Sequence, residues 1–157
     1  MPAYLRTRGL RRRSVRPADV RQRAERMLEA LELASAELSI LLCDDETMRG
    51  LNREYRGKDR PTDVLAFAIR EGEHGGLAGE LLGDVVISLD TARRQAAESD
   101  RPIVAEVTFL LAHGLLHLLG YDHRDAAELR RMNALSDGLV AAARPYAEPR
   151  GGAQRRP

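Results

Sequence analysis

The sequence predicts a single α+β domain, with a mixed β-sheet of about four strands packed with helices around one buried central helix. Three observations carry that reading. The chain has 157 residues, 43% of them hydrophobic, which suits one domain with a real core. Helical and strand patterns mix along it without the strict alternation of a parallel α/β fold. One segment, residues 103–119, is apolar on nearly every side, and such a helix belongs in the centre of a fold.

The elements follow in order. The Arg-rich N-terminus gives no clear pattern, so the first strand is not placed. Val20, Ala24, Met27, Leu28 and Leu31 recur at helical spacing behind Pro17, predicting a helix over 18–34. Leu38, Ile40 and Leu42 alternate, predicting a strand over 36–43. Asp44 or Asp45 can cap a second helix with Met48, Leu51 and Tyr55 inward. A charged loop spans 56–61. Residues 64–69 and 84–89 read as strands, joined by a connection rich in glycine (Gly72, Gly75, Gly76, Gly79). Residues 91–98 form a short helix. Asp100 and Pro102 open the central helix, and Gly120 ends it. Ala127, Met132, Leu135 and Leu139 give a last helix its packing face. The domain so read covers residues 1–143, and 144–157 reads as a disordered basic tail.

Composition excludes several classes. Cys43 is the only cysteine, so no disulfide can form within the chain. It follows Leu41 and Leu42 with no basic neighbour, as a buried small hydrophobe does and an activated nucleophile does not. No apolar stretch follows the basic N-terminus, so no secretory signal is expected. The most apolar segment, 107–119, is shorter than the roughly 20 residues a membrane span needs. The chain therefore reads as cytoplasmic, without a membrane partner.

The net charge of +1 hides an uneven distribution. Residues 1–26 carry nine arginines and two acids, a net +7; residues 141–157 carry +3, leaving −9 between them. A basic arm on an acidic body can engage a polyanion. Arginine makes up 24 of the 25 basic residues, so a general preference for arginine explains the pattern equally well.

Three of the four histidines fall within eleven residues: His113-Gly-Leu-Leu-His117-Leu-Leu-Gly120-Tyr-Asp-His123. Positions i and i+4 of a helix point the same way, so His113 and His117 can share one ion. Gly120 turns the chain back, because glycine takes a left-handed backbone at little cost, and His123 can approach the same ion. Imidazole suits zinc, and also nickel, iron and copper. Three protein ligands leave a fourth position for water, the arrangement of catalytic rather than structural zinc. Core packing is the alternative, but two buried rings in an apolar segment would each need hydrogen-bond partners. The spacing matches the metzincin peptidase pattern except that Gly114 stands where the general-base Glu belongs, which argues against a metallopeptidase.

Two further segments join this one. The first is Leu51-Asn-Arg-Glu-Tyr-Arg56-Gly-Lys58-Asp-Arg-Pro-Thr62-Asp63-Val-Leu-Ala-Phe67, and the second is Leu82-Gly83-Asp84-Val-Val-Ile-Ser88. Together the three resemble the YbeY family of bacterial endoribonucleases, over residues 36–137, with Ala66 where a Ser is common. The resemblance implies one zinc-bearing domain that cleaves single-stranded RNA. It implies a role in maturing the 3′ end of the 16S rRNA precursor and in ribosome quality control, at the small ribosomal subunit. It implies His113, His117 and His123 as zinc ligands and Arg56 as the catalytic arginine.

Each further candidate has two readings. Arg56 is a permanently charged fork suited to phosphate oxygens, or a solvated loop residue. Lys58 and Arg60 guide an RNA backbone or are merely solvated. Asp63 and Asp84 orient a ligand histidine or cap a turn. Asp122 adjoins His123 and can position it. Tyr121 stacks on a base or fills the core. Glu106 reads as a first-turn acid facing the helix dipole, and His74 as solvated. Zinc-bound water, the RNA 2′-OH and Asp122 all remain open as the group that starts the reaction. A non-catalytic RNA-binding assembly factor is the competing function.

Overall fold

The computed structural model describes residues 3–11, 14–69 and 81–145. His74, the glycine-rich connection and the tail beyond Pro145 lie outside the described residues. Among the described residues there are four strands, β1 (Ala3–Arg8), β2 (Glu37–Cys43), β3 (Val64–Ala68) and β4 (Leu81–Ser88). Five helices accompany them: α1 (Pro17–Ala30), α2 (Asp45–Arg56), α3 (Leu89–Glu98), α4 (Ile103–Leu118) and α5 (Ala126–Ala143). The sheet order is β1-β2-β4-β3. β1 and β4 run parallel to β2, and β3 runs antiparallel to β4. The sheet is therefore mixed, as the irregular order of patterns predicts.

Side chains alternate between the two faces of a strand. Leu38, Ile40, Leu42, Val85 and Ile87 point into the main core with residues of α1, α4 and α5. Cys43, Val86 and Leu65 point the other way, into a smaller cluster with Met48 and Leu51 of α2. One face of the sheet thus carries most of the helices, and the other carries α2.

α4 is the centre of the first face, touching α1, α3, α5, β3 and β4. Two of its buried polar side chains, Thr108 and Glu106, are paired with arginines. Arg23 of α1 is buried and donates to Thr108 Oγ1 at 3.1 Å and to Asp19 at 3.2 Å. Glu106 is the acid in the first turn of α4, as expected, and it is also buried and paired with Arg101. These contacts also correct the idea of a basic arm. Ala3–Arg8 forms β1 and Pro17–Ala30 forms α1, both parts of the fold, and Arg26 donates to the Ala143 carbonyl at 2.8 Å. Arg6, Arg8, Arg11 and Arg16 remain exposed.

The boundaries differ where tertiary contact outruns local structure. The apolar stripe extends to residue 34, but α1 stops at Ala30 because Glu32 takes a left-handed φ of 60°. The Leu33 N–H then donates to the Leu28 carbonyl, a helix-ending turn that keeps Leu33 against the core. Asp100, expected to open α4, is also left-handed, at φ 54°; it closes the turn after α3, and Pro102 is the residue at the start of α4. β4 begins at Leu81, earlier than its pattern suggests. Gly83 interrupts that pattern where a Cβ would lie 2.2 Å from the Phe67 carbonyl oxygen of β3.

Candidate metal centre

α4 brings the first two histidines together. His113 and His117 are one turn apart, with ring centroids 5.0 Å from each other. The helix ends at Gly120, whose φ is 96°. There the Gly120 N–H donates to the His117 carbonyl and the Tyr121 N–H to the Leu116 carbonyl, both at 3.0 Å. The next turn is pinned from α5. Asp125 Oδ1 accepts from the Glu128 N–H at 2.8 Å, and Glu128 Oε1 accepts from the Arg124 N–H at 3.1 Å. Asp122 Oδ1 accepts from the His123 N–H at 2.7 Å and lies 3.9 Å from that ring's Nδ1. His123 is thereby brought back, its ring centroid 6.1 Å from His113 and 5.7 Å from His117.

One nitrogen from each ring lies within 4.8 Å of the others, a group able to hold a metal ion. Two observations test the fit. His113 Nδ1 is buried with no hydrogen-bond partner among the described residues, so the core does not satisfy this ring as the packing alternative requires. Burial, then the neighbouring His117 and His123, push the His113 pKa below its ordinary value, while Asp63 opposes them. Burial and His123 do the same to His117 against Asp122. Both shifts favour the neutral ring, the form that ligates a metal.

Gly114 has a physical reason. A Cβ there would lie 2.8 Å and 3.2 Å from the two Val85 methyls and 3.3 Å from a Val64 methyl. The position faces the sheet, and a glutamate would have no room without moving α4.

The remaining candidates separate. Asp63 stands at the start of β3, where it accepts from the Val64 N–H at 2.7 Å and from Gln95 Nε2 at 3.3 Å. It caps its turn, and its charge also reaches His113. Asp84 shares the strand face of Val86, away from α4, and does not join the histidines. Tyr121 is exposed rather than in the core. Arg56, Lys58 and Arg60 are exposed, and their side chains make no hydrogen bond or ion pair among the described residues. Arg56 ends α2, and the loop after it returns to Asp63. Cys43 is fully buried, and burial, then Asp44, push its thiol up to about 12, so it stays protonated.

Sequence reasoning missed the carboxylate that ties α2 in place. Asp45 Oδ1 accepts from Ser88 Oγ at 2.6 Å and Thr91 Oγ1 at 2.7 Å, and Arg94 lies 2.9 Å from Oδ2. Only the Asp-Asp pair at a predicted helix start hinted at it. No helix among the described residues is long and apolar enough to cross a membrane.

Residues 10–144 match the family model described as Endoribonuclease YbeY. A protein of that name from Syntrophotalea carbinolica is 51% identical over 75% of this chain and 80% of its own length. Another, from Geobacter metallireducens, is 48% identical over 83% of this chain and 89% of its own. A solution structure from Thermotoga maritima shares the fold, with a TM-score of 0.64 and 24% identity over 88% of each chain.

Proposed function

The chain belongs to the YbeY family of endoribonucleases, and from that premise we propose that it is a zinc-dependent hydrolase that cleaves single-stranded RNA. The observation that carries the reading is the convergence of His113, His117 and His123 from a helix and a returning turn. Three imidazoles suit zinc and leave one position open to a substrate. Bound there, zinc would supply Lewis acidity at a phosphoryl oxygen.

In this reading Arg56 pairs with phosphate oxygens and stabilises charge that builds on them. Its exposed guanidinium supports the role, as does its place at the head of the loop that ends at Asp63, whose charge reaches His113. The substrate proposed is the 16S rRNA precursor near its 3′ end, met in the cytoplasm at the small ribosomal subunit during maturation and quality control. The likeness of the three sequence segments to the family supports that assignment. The working domain is residues 1–143, with 144–157 as a basic tail.

The test is metal content by mass spectrometry beside cleavage of single-stranded and duplex RNA. Wild type should hold about one zinc per chain and cut only the single strand. His117→Ala should lose both the metal and the cleavage while circular dichroism stays native. Arg56→Ala should keep its zinc and cut roughly 100- to 1,000-fold more slowly. Wild type with no stoichiometric metal, after zinc is offered, would overturn the reading.

A further inference from the structure

A recess of about 420 Å³ opens on the face of the sheet away from α4, between α2 and the edge strand β1. Leu41 and Val86 form its apolar floor. Tyr55 and Phe67 stand on one side, their rings 5.3 Å apart at 63°, with Tyr55 60% exposed. Arg6 and Arg8 stand on the other, two residues apart and therefore on one face of β1. Asp84 lies between the two sides.

The charges in this recess are unspent. Arg6 and Arg8 are exposed, and their side chains make no hydrogen bond or ion pair among the described residues. Asp84 is half-buried and likewise makes none. Two arginines alone would suit any anion. A carboxylate among them repels a simple anion and asks for a ligand that also donates hydrogen bonds. An aromatic ring beside it asks for a flat apolar surface. A nucleotide of a single strand meets all three demands, with phosphates for arginine, a π-face for tyrosine and base N–H groups for a carboxylate.

We propose that this groove holds a nucleotide of single-stranded RNA, its base against Tyr55 and donating to Asp84, its flanking phosphates on Arg6 and Arg8. The inference rests on the endoribonuclease reading and adds a binding site across the sheet from the histidines. Tyr55 is followed by Arg56, so a strand leaving the groove over the end of α2 meets the arginine proposed to touch the cleaved phosphate.

The experiment is fluorescence anisotropy of the full, zinc-loaded chain with labelled eight-nucleotide single strands of cytidine or uridine, with cleavage of a longer strand followed in parallel. Tyr55→Ala should weaken binding roughly tenfold, and Tyr55→Phe should restore it. Replacing Arg6 and Arg8 together by Ala should flatten the slope of log affinity against log salt by about 1.4. Asp84→Asn should change the ratio of cytidine to uridine affinity by roughly fivefold or more. Native circular dichroism keeps the variants comparable. If wild type cuts RNA and all of these variants bind like it with the same salt slope, the groove is not an RNA site. If wild type neither binds nor cuts RNA, the endoribonuclease reading fails, and this inference with it.

Discussion

Two helices carry the proposed chemistry, and they are held in opposite ways. α4 is gripped on most sides by apolar contacts, and at Gly114 it approaches the sheet more closely than any side chain would allow. α2 has half of its residues exposed, only Met48 and Asn52 buried, and a charged anchor at its start. α4 presents histidines, which must converge on one point. α2 ends in an arginine, which must meet a flexible polyanion. The contrast teaches that each anchoring mode matches the tolerance of its task. A metal site fails if a ligand drifts by about an ångström, whereas a phosphate contact on an exposed helix end can follow its strand.

The contrast can be broken first at the anchor of α2. Asp45→Ala removes the acceptor for Ser88, Thr91 and Arg94 and should cost about 2 kcal/mol at pH 7 in chemical denaturation. Burial opposes ionisation of Asp45, but hydrogen bonds from Ser88, Thr91 and Arg94 outweigh it and hold the carboxyl below its ordinary 3.8. The unfolded chain therefore takes up the proton first. The stabilisation is fully present above pH 3.8 and is lost as pH falls through the folded value. The gap between wild type and Asp45→Ala should close over that acid range, and a gap independent of pH would sink the account.

The next effect is on α4. Gly114→Ala should lower stability by about 1–2 kcal/mol in thermal unfolding, overpacking outweighing the gain in helix propensity. On α2 the same change should have the opposite sign, because nothing lies within 4 Å of a Cβ at Gly50. Gly50→Ala should therefore stabilise by about 0.5–1 kcal/mol, and a loss there would mean that α2 is packed as tightly as α4.

The smallest effect concerns His113 and His117 in the metal-free protein. Their folded values lie below 6.5, so the unfolded chain binds protons first as pH falls. Metal-free protein should lose stability as pH drops below 6.5 toward those folded values, seen as a falling urea midpoint. Zinc should shift the midpoint upward at pH 7.5 and less at pH 5.5, since protons compete for the same nitrogens.

What was legible in the sequence was local. His113 and His117 share a face through spacing alone, and Gly120 announces the turn that returns His123. α4 was visible because nothing polar interrupts it for long. β1 was not, because an edge strand buries little: only Ala3 is buried, and four of its six residues are exposed arginine, threonine or tyrosine. The groove went unread with it, since Arg6 of β1 and Tyr55 of α2 come to line one recess only through tertiary packing. Asp63 comes near His113, and Arg23 reaches Thr108 across 85 positions, through tertiary packing that no spacing rule encodes. α1 was read too long because Leu33 keeps its core contact after the helix has ended.

The closeness of α4 to the sheet also bears on what this scaffold can become. A codon for glycine is one base change from a codon for glutamate, so a peptidase's general base looks mutationally near. Val85 and Val64 block that step, because a side chain at position 114 would arrive in space they already occupy. Lineages descending from this fold would first have to trim one valine and carry the cavity it leaves. The path between the two chemistries runs through a less stable ancestor, and the identity of two methyl-bearing residues, one buried and one partly buried, decides whether it is open.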